Sequence, residues 1–172
     1  MSRNRELLGF LGKGFVLEVS GSPGSGRREA VYKIIDVLGG DAIYIDYAQT
    51  RWRSKGKWPG VEFITASDPL ELLSATANAN HSLMVVDSIP RVFHAFKLEY
   101  RARWGLVASL LALAVDRASR GLGSVFVNYW SMGRSFGEQV FAPYFTHRAV
   151  VRRDAGRQVL QFFHPLRGEV EL

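Results

Sequence analysis

The sequence predicts one α/β domain built on a mainly parallel sheet, with an antiparallel extension at one edge. Three observations lead there. Short apolar runs alternate with amphipathic ones along the 172 residues, the pattern of a βαβ series. A glycine-rich segment over residues 21–29 sits between a predicted strand and a predicted helix. Near the end, two strand-like runs over 149–153 and 158–163 are joined by Asp154-Ala155-Gly156, a turn that suits antiparallel neighbours.

The elements follow in order. Residues 15–20 form a compact β-branched run that ends in glycines, hence a buried first strand. A helix over 28–38 places Ala30, Val31, Ile34, Ile35 and Leu38 on one stripe. Gly39 and Gly40 stop it. Residues 42–45 are the second strand and 61–64 a short third. Ser67 is the expected N-cap of a helix over 68–78, with Pro69 in its first turn. Strand 82–87 carries LMVV, apolar throughout, as a strand covered on both faces should be. A helix over 106–120, closed by Gly121, and a strand over 124–128 complete the parallel series.

The chain fits a single domain over 1–172, with 47% hydrophobic residues, enough for a packed core. No apolar run approaches the ~18–20 residues of a membrane span, and the sequence reads as cytoplasmic. Without cysteine there are neither disulfides nor thiolate metal sites. His81, His94, His147 and His164 are scattered, so no metal site is expected. The net charge is +6, and 17 of the 22 basic residues are arginines. A flat guanidinium fork suits bidentate contact with phosphate, which makes nucleic acid a candidate partner.

The segment GSPGSGRRE over 21–29 has the outline of the nucleotide-binding P-loop, G-x-x-x-x-G-K-[ST]. Gly21 and Gly26 hold its glycine positions, with Gly24 between them. Backbone N–H groups and a helix N-terminus there favour an anion. The lysine position, however, holds Arg27. The hydroxyl position holds Arg28, which offers magnesium no ligand and puts a cation where the metal belongs. The segment reads as a vestigial P-loop. It requires no cofactor, and the two arginines weigh against ATP or phosphate.

From the P-loop onward the chain resembles, in order, the catalytic core of RadA-family recombinases. IYIDYAQTRWR over 43–53 is similar to the family's V-Y-I-D-T-E-G-T-F-R, with Asp46 and Thr50 matching. Ala48 stands at the position of the water-orienting glutamate, and a methyl group can neither polarise nor align water. LMVVDSI resembles the Walker B strand, with Asp87 at its acidic position. FKLEYRAR over 96–103 is similar to F-R-A-E-Y-x-G-R, which leads into the first DNA-binding loop. VFVNYW resembles V-V-V-T-N-Q-V, with Asn128 matching and Tyr129 replacing the γ-phosphate-sensing glutamine. Gly137 to Val140 is similar to G-G-H-V, and the tail to the terminal antiparallel strands. The resemblance spans about residues 10–172. It implies a RecA-like P-loop three-layer sandwich. The family's N-terminal helix-hairpin-helix domain has no counterpart, and only about eight residues separate Asn128 from Gly137. Both argue against an ATP-dependent filament.

The resemblance implies a DNA-binding accessory in recombination and DNA repair, a RadA paralogue with little or no ATP hydrolysis and no catalytic residues. Single-stranded DNA is its expected partner, through the loops that hold Arg91, Lys97, Arg101, Arg103 and Trp104, then Arg134 and Phe136. A further cluster, RWRSKGKW, sets Arg51, Arg53, Lys55 and Lys57 beside Trp52 and Trp58. Phe93, Phe96, Phe141, Tyr144 and Phe145 read as core or interface. Glu99 and Tyr100 read as residues that fix loop geometry. Other readings stay open: a subunit that pairs with a RadA-type recombinase, another RecA-like chain or a second copy of itself, a weak ATPase using Arg27 and Asp87, or a regulatory phosphate- or nucleotide-sensing domain in which Arg27 and Arg28 clamp an anion without cleaving it.

Overall fold

In the computed structural model, which describes residues 3–49 and 57–172, eight strands form one sheet between two layers of helices. The elements run α1 (Arg3–Leu11), β1 (Phe15–Ser20), α2 (Arg27–Val37), β2 (Ala42–Asp46), β3 (Val61–Ile64), α3 (Pro69–Asn78), β4 (Leu83–Asp87), α4 (Ile89–Ala95) and α5 (Tyr100–Ser119). Then come β5 (Gly123–Val127), β6 (Trp130–Ser131), β7 (Arg134–Ser135), α6 (Glu138–Phe141), β8 (His147–Asp154), β9 (Arg157–His164) and β10 (Gly168–Glu171). The order across the sheet is β10-β9-β8-β1-β5-β4-β2-β3. β3, β2, β4, β5, β1 and β8 are parallel, and β9 and β10 return antiparallel. The predicted sheet, with its antiparallel extension at one edge, is the observed one.

Alternation along the strands sorts side chains between the layers. Leu83 and Val85 of β4 join Val31, Ile34 and Ile35 of α2 and Leu7 and Leu11 of α1 on one face. Met84 and Val86 meet Leu72 of α3, Phe93 of α4 and Leu106, Leu110 and Leu111 of α5 on the other. Buried on both faces, the LMVV run of β4 is apolar for the reason its sequence suggested, and only Asp87 at its carboxyl end is charged.

Several boundaries differ from expectation. The cap of α3 is Asp68, whose carboxylate accepts from the N–H groups of Leu70 and Glu71. Ser67 lies one residue earlier, and its hydroxyl and N–H both donate to the Glu71 carboxylate. The helix expected from residue 106 begins at Tyr100. Its first turn is polar, so periodicity does not reveal it. α1 and α4 are short and were not anticipated. Between β8 and β9, Ala155 and Gly156 both have positive φ (45° and 82°), a two-residue hairpin turn that brings Asp154 opposite Arg157.

Two buried charges are held by partners distant in sequence. Arg117 of α5, 1% exposed, donates to the carbonyls of Ala79 and His81. Glu18, in the middle of β1 and also 1% exposed, accepts from Arg148 Nε of β8 and from the Asn128 amide, each at 2.7 Å. Arg148 donates further to Glu138 at 2.6 Å and to the Ser135 hydroxyl at 3.1 Å. Burial works against the arginine's charge, but Glu18 and Glu138 outweigh it and raise the pKa of Arg148. No helix among the described residues is long and apolar enough to cross a membrane.

Candidate functional site

The carboxyl ends of β1, β4 and β5 converge on a polar cavity of about 330 Å³. β1 feeds into the glycine-rich turn, where Gly24 (φ 76°) and Gly26 (φ 91°) take backbone angles that a side chain would strain. Gly26 is the left-handed N-cap of α2. A Cβ there would strike the Gln158 amide of β9, which donates to the carbonyls of Ser25 and Gly26. The antiparallel extension therefore braces the turn. Gly21 is buried with no room to spare, since a Cβ would meet the Ser25 hydroxyl and the Arg27 side chain.

Arg27 does not project freely. It donates to the Asn128 carbonyl at 2.6 Å, and its guanidinium lies 5.6 Å from the centre of the Tyr129 ring. Burial lowers its pKa, as do Arg28 and Arg91, while Asp87 and Tyr129 act the other way. Arg28 Nε stands 3.9 Å from Asp87 Oδ2, the same oxygen that accepts the Tyr44 hydroxyl at 2.8 Å. Arg28 Nε is buried and has no hydrogen-bond partner. Ala48 lines the same cavity from the end of the β2 loop. So the structure gathers Gly24, Gly26, Arg27, Arg28, Ala48 and Asp87 around one phosphate-sized space at the rim of the sheet. Arg91 of α4 and Arg153 of β8 also line it, and Arg153 carries no motif that could have singled it out.

The residues read as DNA-binding divide into two sets. Lys97, Arg101 and Arg134 are exposed, and none of them lines the cavity. Trp104 is not free to stack on a base. It packs on Phe93 and Phe141, with ring centroids 4.9 and 5.1 Å apart, and lies parallel to Phe136 at 5.9 Å. Phe136 is held in that same cluster, so both rings are structural. Arg103 is occupied by the Leu98 carbonyl and by His94 Nδ1. Trp58 is 7% exposed, covers Tyr32 and donates its indole N–H to Asp36. Lys57 pairs with the same Asp36 at 3.1 Å and lies over the Trp58 ring. Thr50, Arg51, Trp52, Arg53 and Lys55 lie outside the described residues. Tyr100, expected only to fix loop geometry, is 68% exposed beside Arg101.

A divalent cation does not fit this site. Asp87 is its one buried carboxylate, no hydroxyl stands at residue 28, and the guanidinium there occupies the approach. Among the described residues no group of three acidic, histidine or cysteine side chains is placed to hold a metal.

A parallel sheet with strand, glycine turn and helix at its centre, and an antiparallel extension beyond β8, defines the RecA-like P-loop class of fold. Among solved structures, a KaiC-like protein from the hyperthermophilic archaeon Pyrococcus horikoshii is similar, with a TM-score of 0.67 at 11% identity. The similarity covers 94% of this chain and 86% of that one. At such identity it shows the fold alone. No protein-family profile matches the sequence, and no curated protein matches it.

Proposed function

We propose that the protein is a non-hydrolysing RecA-like accessory that binds DNA, single strands above all, in recombination and repair beside a RadA-type recombinase or another RecA-like chain. One observation carries the non-hydrolysing half. Arg28 faces Asp87 across the cavity where magnesium would have to sit, and Ala48 stands in the same wall without a carboxylate to align water.

Support for the DNA half comes from how the rim is built. The Trp104–Phe136 stack ties the start of α5 to the β6–β7 hairpin, which brings Lys97 and Arg101 alongside Arg134. The N-terminus of α5 adds its positive dipole end, offset in part by the exposed Glu99 carboxylate at the N-cap. Tyr100 meets Phe93 and Trp104 edge to face at 6.0 and 5.9 Å yet stays 68% exposed, so it offers ring surface together with these cations, the combination on which single-stranded nucleic acid docks.

Tyr100 and Trp104 should therefore behave differently. In fluorescence anisotropy with oligothymidine, Tyr100→Ala is expected to weaken binding about 5- to 100-fold, the range for one lost base stack, with a smaller fall in melting temperature than Trp104→Ala because the Tyr100 ring meets the cluster only at its edge. Trp104→Ala should lower the melting temperature because it empties an aromatic cluster. No wild-type binding at low salt would rule out the DNA reading.

A further inference from the structure

We infer that the cavity is a metal-independent clamp for a small polyphosphate anion, with the Arg28 guanidinium in the bridging position between Asp87 and phosphate that a divalent cation takes in hydrolysing P-loop enzymes. The inference rests on the non-hydrolysing reading of the loop and is independent of DNA binding.

Four cationic side chains reach the cavity from three elements: Arg27 and Arg28 at the start of α2, Arg91 of α4 and Arg153 at the end of β8. Two carboxylates face them, Asp87 and the exposed Glu29, which leaves an excess of two positive charges around about 330 Å³. Like charges packed this closely repel unless an anion joins them. Burial is the main reason the pKa of Arg27 is lowered, and the neighbouring Arg28 and Arg91 lower it further. The arginines nevertheless keep their protons at neutral pH.

The donors are also incompletely used. Arg28 Nε is buried without a hydrogen-bond partner, a costly state for a charged donor unless a ligand accepts from it. The first turn of α2 has amide N–H groups with no partner inside the helix, and the left-handed Gly26 turns the loop around the same space. Arg27 donates to the Asn128 carbonyl and Arg91 to the Tyr47 carbonyl, each through one nitrogen, so the remaining donors of both, with Arg28 and Arg153, can close on an anion. A bound magnesium ion would meet Arg28 head-on. Polyphosphate already complexed with magnesium has moreover lost the charge that the arginines read.

Calorimetry on the full chain tests this with tripolyphosphate, phosphate and sulfate in EDTA at matched ionic strength, repeated with excess magnesium. Tripolyphosphate should bind in EDTA, more tightly than phosphate or sulfate, and excess magnesium should weaken it by about tenfold or more. Arg28→Ser removes one charge-assisted contact and restores a hydroxyl. It should cost about 10- to 100-fold in EDTA, and magnesium should then help. No binding in EDTA, equal binding of sulfate, or wild-type affinity that rises with magnesium would each overturn the inference. The wild-type comparison stands even if the variant folds poorly. An unlabelled oligothymidine that displaces tripolyphosphate would likewise overturn it, by assigning the cradle to the nucleic acid backbone. Because binding is read in EDTA and hydrolysis requires magnesium, failure here and failure of the non-hydrolysing reading produce different results.

Discussion

Arg148→Ala is expected to destabilise the protein by about 3–5 kcal/mol, measured by urea denaturation. The variant strands Glu18, a carboxylate 1% exposed on one of the two central strands of the sheet, with only the Asn128 amide for company. Glu138 and the Ser135 hydroxyl lose their partner as well. A loss of that size approaches the whole stability of many domains. Replacing both members, Glu18→Leu with Arg148→Met, should recover most of it, because no buried charge is then left alone. A cost below about 1 kcal/mol for Arg148→Ala would mean that the network is not closed as described. The effect also reaches the site. Asn128 links Glu18 to the rim: its amide also donates to the Phe136 carbonyl, and its own carbonyl receives Arg27. Loosening Glu18 should therefore loosen the phosphate loop.

The second large effect concerns the rim. Lys97, Arg101 and Arg134 are exposed and form no ion pair among the described residues, so removing them should leave the fold intact. If each neutralises one phosphate of a single strand, counterion release sets the magnitude. The triple alanine variant should bind oligothymidine about 50-fold more weakly at ~0.15 M salt, and the slope of log affinity against log salt should fall by about 2. An unchanged slope would remove these three residues from the interface.

Much of this architecture is legible in the residues because burial writes itself into strands. LMVV at β4 and the stripe of Ala30, Val31, Ile34 and Ile35 on α2 each have one physical explanation, and the structure supplies it. The turn at Ala155-Gly156 is legible for the same reason, since few residues accept positive φ. What escaped notice depends on partners distant in sequence. Trp58 reads as an exposed platform in a polar stretch until Asp36 and Tyr32, on a helix more than twenty residues away, are seen to cover it. Trp104 reads as part of a basic loop until the start of α5 places it against Phe93 and Phe141. Glu18 looks anomalous in a buried strand until Arg148, 130 residues on, reaches it. Arg153 belongs to no motif and joins the cavity only because β8 lies beside β1. The loop residues Gly24, Gly26, Arg27 and Arg28 form the opposite case: the strand-turn-helix context fixes their neighbourhood before any contact is known.

The disarming of the site by Arg28 and Ala48 is most directly tested by phosphate release from ATP with magnesium, at enzyme in excess over nucleotide. The predicted result is no release above the buffer blank, and no difference between the wild type and Asp87→Asn. Magnesium-dependent release that Asp87→Asn abolishes would contradict it, because Asp87 would then be holding a metal where the structure places a guanidinium.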